Sequence, residues 1–455
     1  MPTCYHFAKS LSFKPSWLLL AGLLPAFSSW GAETAPQQPT FPALYFSGFA
    51  TFAGTYNDND AAGVVTSFAQ KRPANKGFST KLDSVLGGQI DWWLTPTTSV
   101  TLQGVARVGN EMEPELRLGY LRQQLGDALS VRLGRIRTPV YFDSDVTEIG
   151  YAYLLARPAL PIYGLLNSFS WLDGGDVQWR HPFGNTVMLV QGYGGRVDYA
   201  VYAPGTTPKT ITNGEFTDVV GLAVSAILPR VTFRLSYTEV GDMHLNSPEL
   251  NVLNAGLTQL AGGVRLLAHN PLLPLPNALG LQQQAAQIED LINPYDGAAI
   301  YTSLGFDAYL GAWRLMGEWV MVDPKSAMLA RHDGFQLTAG RSFGQWTPYV
   351  SYAQFERKTA NLNTQALTAT GLHPLLDAGL AQAQAELDRL AHASDASTES
   401  LSVGVRWDFR HNMALKVQYD HFRTPDASTR GILAVETVPF RNEVNVLTVG
   451  LDVVF

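Results

Sequence analysis

The sequence predicts an all-β protein, a transmembrane antiparallel up-and-down β-barrel of about sixteen strands. Three observations predict this fold class. The last residues, 447–455, alternate between large apolar side chains and smaller or more polar ones, which is the period of a strand with one apolar face. Similar segments recur along the chain and are joined by tight turns. No stretch beyond residue 31 reaches the roughly 18 apolar residues that a membrane-spanning helix requires.

The start of the chain is typical of a secretory signal peptide. Lysines precede an apolar run from Trp17 to Pro25, and small residues follow it. We therefore expect residues 1–31 to be a cleaved signal peptide and residues 32–455 to form the barrel. The one cysteine, Cys4, falls within the signal. The barrel should then contain no thiol and should be stabilised by a large hydrogen-bonded framework rather than by disulfides.

Sixteen segments have the composition and alternation of strands that cross a membrane. They cover approximately residues 43–55, 78–94, 98–108, 114–124, 128–136, 170–182, 185–194, 214–227, 230–240, 297–310, 312–321, 333–343, 346–356, 398–409, 412–422 and 443–455. Tight-turn signals occur at Thr95-Pro96-Thr97, Gly126-Asp127, Gly184-Asn185, Gly344-Gln345 and His411-Asn412. Each turn joins two successive strands at the same end, so the other end should carry the longer loops.

Two of the longer connections, residues 241–296 and 357–397, show helical periodicity, with Leu387 and Leu390 as an example. We interpret both as long extracellular loops that contain short helices. A separate soluble domain is the alternative. Neither segment is long enough to bury much core of its own, which favours loops.

Alternation within each strand assigns its two faces, because lipid requires apolar side chains outside while a water-filled interior accepts charge. Arg234 is expected to point inward, with Phe233 and Leu235 outside. On the fourth strand the same reasoning places Leu116 and Tyr120 on the lipid face. The residues predicted to form a basic interior wall are Arg107, Arg117, Arg132, Arg135, Arg180, Arg234, Arg314, Arg406 and Lys416.

An acidic cluster lies in the long connection that follows the fifth strand, residues 137–169. It consists of Asp143, Asp145 and Glu148, and prolines and tyrosines in the same connection should make it stiff. Facing a basic wall, such a loop would order water and select solutes by size and charge. Two alternatives stay open. The cluster could be a surface loop that binds calcium or nothing, and each arginine could be a solvated wall charge or an ion-pair partner of Glu318, Asp408 or Asp420.

Across its whole mature length the sequence resembles the bacterial outer-membrane porins. The likeness rests on Ser47-Gly48-Phe49, Leu133-Gly134-Arg135, the long connection after it and the terminal Phe455. The resemblance implies that residues 137–169 fold inward and constrict the pore, and that Phe455 is a signal to the barrel assembly machinery. It also implies a homotrimer in the outer membrane of a Gram-negative bacterium. The chain departs from the porin pattern in lacking a Pro-Glu-Phe-Gly-Gly-like loop segment and in its long, helical fifth and seventh loops.

These features predict a water-filled channel for passive diffusion of small hydrophilic solutes and ions. The interior arginines favour anions, whereas the net charge of −7 and the acidic loop favour cations. Local fields at the narrowest point should dominate, since salt screens charges beyond about 8–10 Å, and we expect a weak preference for anions. The main alternative is a substrate-specific channel for small anions, organic acids or sugars. An adhesin or assembly scaffold with an occluded interior is another.

Other functional classes find little support in the sequence. Asp420-His421 is the nearest approach to an acid–histidine pair of a hydrolase, but adjacent strand residues point to opposite faces. The histidines are scattered and offer no metal spacing, and no phosphate-binding loop is present. The acidic net charge argues against nucleic acid as a partner. We expect no cofactor and no enzymatic activity; the expected partners are outer-membrane lipid, small solutes and ions, and the assembly machinery.

Overall fold

The computed structural model describes residues 41–202, 211–359, 365–435 and 438–455. Sixteen long antiparallel strands form one sheet. They are β1 (Ala43–Asn57), β2 (Val85–Trp93), β3 (Thr98–Arg107), β4 (Pro114–Leu125), β5 (Leu129–Arg137), β6 (Trp171–Phe183), β7 (Thr186–Tyr202), β8 (Ile211–Ile227), β9 (Val231–Asn246), β10 (Gly297–Leu310), β11 (Trp313–Pro324), β12 (His332–Arg341), β13 (Trp346–Arg357), β14 (Thr398–Arg410), β15 (Met413–Arg423) and β16 (Glu443–Val454). The predicted signal peptide and Cys4 lie outside the described residues. Within the described ranges, no helix is both long enough and apolar enough to cross a membrane.

The sheet closes on itself. Each strand pairs with the next along the chain, and β1 pairs with both β2 and β16. At the closing seam the terminal Phe455 exchanges two backbone hydrogen bonds with Gly48, at 2.7 and 2.9 Å. Its ring lies over Gly48 so closely that a Cβ there would come about 2.5 Å from the ring carbons, so a larger residue at this position requires the ring to move. All sixteen predicted strands are present, but the segment predicted as one strand over 78–94 is divided into a short strand, Gly77–Ser79, which pairs with the end of β1, and β2. The predicted fold class is confirmed.

The predicted tight turns join β2 to β3, β4 to β5, β6 to β7, β12 to β13 and β14 to β15. In three of them a glycine adopts a positive φ, namely Gly126 at 75°, Gly184 at 58° and Gly344 at 64°. Glycine takes this conformation at no steric cost, so it permits the chain to reverse within a few residues. This end of the barrel is called the turn end, and the opposite end is the loop end.

The outer face of the barrel is an apolar belt. On β9 the side chains of Phe233, Leu235 and Tyr237 are exposed, while Arg234 and Ser236 between them are buried inside. The alternation predicted for this strand is confirmed. A surface of exposed leucine, phenylalanine, tyrosine and tryptophan is suited to contact with lipid. Closure of the barrel is suited to lipid as well, because a closed sheet has no edge with unpaired backbone groups.

One face assignment is wrong because of a β-bulge. Between β3 and β4 the register shifts from Gln103 opposite Leu118 to Gly104 opposite Leu116, so Arg117 has no partner. The bulge reverses the alternation of the rest of β4. Tyr120, predicted to face lipid, is therefore inside, where the Arg132 guanidinium lies 5.1 Å from its ring centroid.

In the described parts of the long loops there are four helices. Helix α1 (Leu160–Leu166) lies in the connection between β5 and β6; α2 (Pro248–Ala268) and α3 (Leu275–Glu289) follow β9; α4 (Pro374–Ala393) follows β13. Shorter 3₁₀ turns cover Val108–Asn110, Ser144–Val146, Gly150–Ala152, Asn167–Phe169 and Gln365–Leu367. The connection after β9 begins at residue 247 rather than 241, because β9 extends to Asn246.

Helices α2, α3 and α4 pack together at the loop end and form a helical cap. Their shared core includes Leu257, Val264, Ile288, Leu380 and Leu387, all fully buried. The sequence did not predict that the two loops would share one core. Each segment is short by itself, but the loops after β9 and β13 combine their apolar faces, and together they exclude water as neither could alone.

A second cover lies above β1, β15 and β16. A two-stranded sheet joins Ala62–Val64 in the first long loop to Leu433–Val435 in the last one. Both strands are buried in a cluster that also contains Leu160 of α1 and Phe422 of β15. The first and last loops are thereby fixed to each other and to the loop inside the barrel.

Candidate pore and its constriction

The connection between β5 and β6, residues 138–170, folds into the barrel and contacts several sectors of its wall. On one side the Val140 carbonyl accepts a hydrogen bond from Ser303 of β10 at 2.7 Å. The Phe142 amide donates to Glu318 of β11 at 2.8 Å, and the Tyr163 hydroxyl donates to the same carboxylate at 2.6 Å. This connection is called the inner loop. Its inward position agrees with the prediction for residues 137–169.

On another side the inner loop is bound to the wall along its backbone. Lys416 of β15 donates to the carbonyls of Gly150 and Leu155, at 2.7 and 2.8 Å, and pairs with Asp452. Arg406 of β14 donates to the Tyr151 carbonyl at 2.7 Å. Both cations were predicted to line the pore. Both point inward, and both hold the loop in place.

Arg157 is the most enclosed of these anchors. It forms a bidentate pair with Asp83, at 2.6 and 2.7 Å, and also binds Asp420 of β15 and the Thr448 hydroxyl of β16. Only 4% of its side chain is exposed. A buried guanidinium is stable only when carboxylates and hydrogen bonds replace its water, and here two carboxylates do so. We call the wall from β14 through β16 to β1, with the loop bound to it, the sealed side.

Glu148 of the inner loop forms ion pairs with arginines of three neighbouring strands. It pairs with Arg107 of β3, with Arg117 of β4 at 3.5 Å and with Arg137 at the end of β5 at 3.3 Å. Arg117 also pairs with Glu115 at 2.8 Å and stacks 4.4 Å from the Trp171 ring. The predicted meeting of acidic loop and basic wall therefore occurs at Glu148 as direct contact, with no space between.

Asp143 and Asp145 are placed differently from Glu148. Asp145 pairs with Arg234 of β9 at 3.1 Å, yet 55% of its side chain is exposed although it lies inside the barrel. Arg132 of β5, bound to Asp176 at 3.0 Å, and Arg314 of β11, bound to Asp307 at 3.0 Å, keep 14% and 20% exposed. Asp145 must therefore border a water-filled space.

This space is called the open side. The arginines on its wall, which are Arg122, Arg132, Arg180, Arg234 and Arg314, belong to β4, β5, β6, β9 and β11. Arg180 points inward because it shares its face of β6 with Asp176, which is buried and contacts Arg132. The interior of the barrel thus has two parts, one filled by the inner loop and one in which Asp145, Arg132 and Arg314 are accessible to solvent.

The structure places eight of the nine predicted wall cations inside the barrel. They are Arg107, Arg117, Arg132, Arg180, Arg234, Arg314, Arg406 and Lys416. Arg135 is the exception and the prediction for it is wrong. It shares its face of β5 with Leu133, which is 60% exposed on the outer surface, and it pairs outside with Asp173 at 2.6 Å. The period of two along a strand requires this outward position.

Sequence reasoning missed Arg122, Arg137 and Arg157. Arg122 is inside only because the bulge at Arg117 shifts the alternation of β4. Arg157 did leave a signal, since it is the only charged residue between Glu148 and Asp173. A lone charge in an apolar segment needs a buried partner. The partners, Asp83 and Asp420, come from distant parts of the chain and could not be predicted.

Asp420 and His421 do not form a catalytic pair. Asp420 is buried on the inner face with Arg157, whereas His421 lies on the outer face, where its Nδ1 is 2.9 Å from Asn445. Opposite orientation was expected from the strand period. Among the described residues, no group of three or more histidine, cysteine or acidic side chains is arranged to hold a metal ion.

No protein-family model matches the sequence, and no curated protein matches it. Solved structures with a similar fold include a loop-deletion mutant of OmpT, an outer membrane protein of Vibrio cholerae, with 10% identity and a TM-score of 0.49 over 91% of this chain and 99% of that chain. The anion-selective porin from Comamonas acidovorans has 14% identity and a TM-score of 0.48, over 91% and 99%. The outer membrane channel DcaP of Acinetobacter baumannii has 10% identity and a TM-score of 0.49, over 90% and 97%.

Identities this low bear on the fold alone. The closed sheet and the inner loop are seen directly in the structure, independently of these likenesses. The fold class predicted from the sequence is confirmed: the chain forms a closed sixteen-stranded antiparallel barrel with an inward-folded loop.

Proposed function

We propose that the protein is an outer-membrane channel through which small hydrophilic solutes and ions diffuse passively. The observation that supports this proposal is the open side. Asp145 is more than half exposed within a barrel whose outer face is apolar, so water reaches the interior of a structure that lies in lipid. Barrels of this strand number are wide enough for an aqueous channel even when a loop occupies part of the interior.

The proposed location is the outer membrane of a Gram-negative bacterium. The apolar outer belt supports a lipid environment, and residues 1–31 would direct export and be cleaved. The assembly machinery would recognise the last strand through Phe455, whose ring remains exposed on the outer surface. We propose a homotrimer, in which apolar strands of neighbouring copies pack against one another.

The proposed constriction lies between the acidic segment of the inner loop and the open-side wall. Asp143 and Asp145 stand on the loop, and Arg132, Arg234 and Arg314 stand on the wall. Asp176 and Asp307 are more buried than Arg132 and Arg314, the arginines with which they pair. Solutes would therefore meet guanidinium groups on the wall and a carboxylate on the loop, which supports a transverse field and a weak preference for anions.

A substrate-specific channel is the second candidate. It is favoured by the extent of the inner loop, which fills the sealed side and leaves a passage along one part of the wall only. A narrow, polar passage brings solutes into contact with fixed side chains, and such contact is the basis of selection. Saturation of flux at rising solute concentration would distinguish this channel from a general one.

Single-channel recording of the refolded chain in a planar bilayer tests the proposal. We expect steady conductance steps in KCl and, under a salt gradient, a reversal potential of the sign for anions. Folded protein that inserts and leaves the bilayer insulating would overturn the channel and favour a scaffold role for the helical cap. Conductance with a reversal potential of the opposite sign would keep the channel and reject the anion preference.

A further inference from the structure

Two arginines lie directly opposite each other on the inner face of the open side. Arg122 of β4 and Arg132 of β5 are cross-strand partners in the sheet, and both are partly exposed to the interior. Like charges directly opposite each other on one face of a sheet are destabilising. A compensating anion is therefore expected, unless neighbouring carboxylates neutralise both arginines.

The neighbouring carboxylates neutralise one of the two. Arg132 is bound by Asp176 through its Nε and one terminal nitrogen. The hydrogen bond of Arg122 goes to the amide oxygen of Gln124 at 3.1 Å, and among the described residues no carboxylate lies within ion-pair distance of it. Asp176 and Asp91 act on Arg122 only at longer range; Asp176 is bound to Arg132, and Asp91 is occupied by Thr101 and Gln89. The pair keeps an unmatched guanidinium with donors available to a solute.

The wall next to this pair is neutral and polar. In the next inward row toward the turn end, Gln124, Ser130 and Gln178 stand side by side on β4, β5 and β6. Amide and hydroxyl groups both donate and accept hydrogen bonds, so they suit hydroxyl groups and do not repel either charge. The Arg132 guanidinium is held from the other side by the Tyr120 ring, which limits its movement.

We propose that Arg122 and Arg132 form a binding site for the oxyanion of a small hydroxylated organic solute, such as a sugar acid or a sugar phosphate. The arginine pair binds the carboxylate or phosphate, since guanidinium groups match oxyanions with paired hydrogen bonds. Gln124 and Gln178, which are partly exposed on either side of the buried Ser130, bind the hydroxyl groups of the same solute. This inference rests on the proposed channel and names the class of solute that the open side takes.

Partial block of the single-channel current tests the site. Gluconate and glucose 6-phosphate are the two probes, one for each source of the oxyanion. Glucose, which lacks the charge, and hexanoate, which lacks the hydroxyl groups, are the controls. We expect gluconate or glucose 6-phosphate to reduce the current at a concentration about tenfold below that needed with either control, as expected for charge-assisted hydrogen bonds. Which of the two probes is stronger identifies the oxyanion.

Arg122→Gln is the matching variant, and Arg196→Gln is its control, because the same change is then made on the outer surface of β7, where the Arg196 side chain is 63% exposed. We expect the half-blocking concentration of the preferred probe to rise about tenfold in Arg122→Gln and to stay unchanged in Arg196→Gln. Equal block by glucose, hexanoate and both probes, or equal effects of the two variants, would overturn the site while leaving the channel intact. An insulating bilayer with all chains would overturn the channel itself.

Discussion

The sealed side and the open side of the barrel both carry cations paired with aspartates, but these pairs have different roles on the two sides. On the sealed side Arg157 and Lys416 are 4% and 1% exposed, and each is matched to aspartates that are almost as buried. On the open side Arg132 and Arg314 also pair with aspartates, yet they keep contact with water. The comparison teaches that an inward arginine does not by itself mark a pore.

What separates the two sides is the inner loop. Where loop carbonyls accept hydrogen bonds from the wall, as from Lys416 and Arg406, the cations become internal links between loop and wall. Where the loop gives no backbone partner, as at Arg132 and Arg314, the arginines remain partly exposed. Arg234 stands at the boundary, because it binds both the Phe142 carbonyl and Asp145 and is 8% exposed. The same strand pattern therefore has a structural role on one side and a proposed transport role on the other.

The largest expected effect comes from breaking the sealed side at Arg157. Arg157→Met leaves Asp83 and Asp420 buried without their cation, and breaking a buried pair in this way costs about 3–5 kcal/mol. We expect the inner loop to detach from the wall, with a larger single-channel conductance and a lower unfolding temperature of the barrel. Planar-bilayer recording and thermal unfolding followed by circular dichroism measure the two effects.

The matched control is Arg314→Met, which removes a paired arginine from the open side. Because this pair is partly hydrated, we expect a smaller loss of stability than in Arg157→Met. We also expect a change in ion preference rather than in the size of the single-channel conductance steps. If both variants raised the conductance equally, the distinction between the two sides would be wrong.

The next effect tests the seam beside the sealed side. Gly48→Ala places a Cβ about 2.5 Å from the Phe455 ring, and overpacking of this kind costs about 1–3 kcal/mol. Gly88→Ala on the adjacent strand is the control, since a Cβ there meets no atom within 4 Å. We expect a lower temperature of barrel unfolding for Gly48→Ala only, measured by heat-induced mobility shift in gel electrophoresis. Equal temperatures for both variants would show that the ring moves aside without cost.

Alternation along strands was sufficient to predict most of the barrel. It placed Arg234 inside and Phe233 outside with no knowledge of the partners of either residue, because lipid imposes one rule on every strand. It failed at Tyr120, where a bulge inserts one unpaired residue, and a bulge leaves no mark on hydrophobic periodicity. Arg135 was predicted to line the pore although it shares its face of β5 with Leu133, so a consistent use of the alternation would have placed it outside.

The division of the interior could not be predicted from the sequence. Arg157 meets Asp420 across 263 positions of the chain, and nothing local in either segment indicates the other. The acidic cluster was correctly located in the inner loop, but its members were expected to act together. The structure separates Glu148, which three arginines enclose, from Asp145, which faces water, and this separation depends on where the loop bends.

A smaller effect sharpens the open side. Asp145→Asn removes one negative charge beside the proposed passage. At about 6 Å in water a unit charge is worth about 0.7 kcal/mol, or about threefold in the local concentration of an ion. We expect the reversal potential in a KCl gradient to shift toward anions by a corresponding amount, with little change in conductance. Asp198→Asn on the outer surface of β7 is the control, and a similar shift in both variants would deny Asp145 a place at the passage.

The smallest expected effect concerns Asp395, which follows α4 and links the helical cap to the last loop. Burial by itself raises the pKa of Asp395, but hydrogen bonds from His332 and from the side chain and backbone of Ser397 outweigh it and lower the pKa to about 2. A carboxylate with a depressed pKa stabilises the folded state above its ordinary value of 3.8, and this contribution is lost as the pH falls toward 2. We expect the residues around Asp395 to open between these two values while the barrel strands remain closed.

Amide hydrogen exchange followed at pH 5, 4, 3 and 2, with rates corrected for the intrinsic effect of pH, measures this opening. Asp395 also joins the two covers, because its carbonyl accepts a hydrogen bond from Gly431 of the last loop at 3.2 Å. The pH-dependent exchange should therefore extend to Gly431 and disappear in Asp395→Asn, whose side chain does not titrate. If the backbone amides of Arg157 and its neighbours also exchanged faster over this pH range, the stability of the sealed side would depend on the cover above it rather than on its own ion pairs.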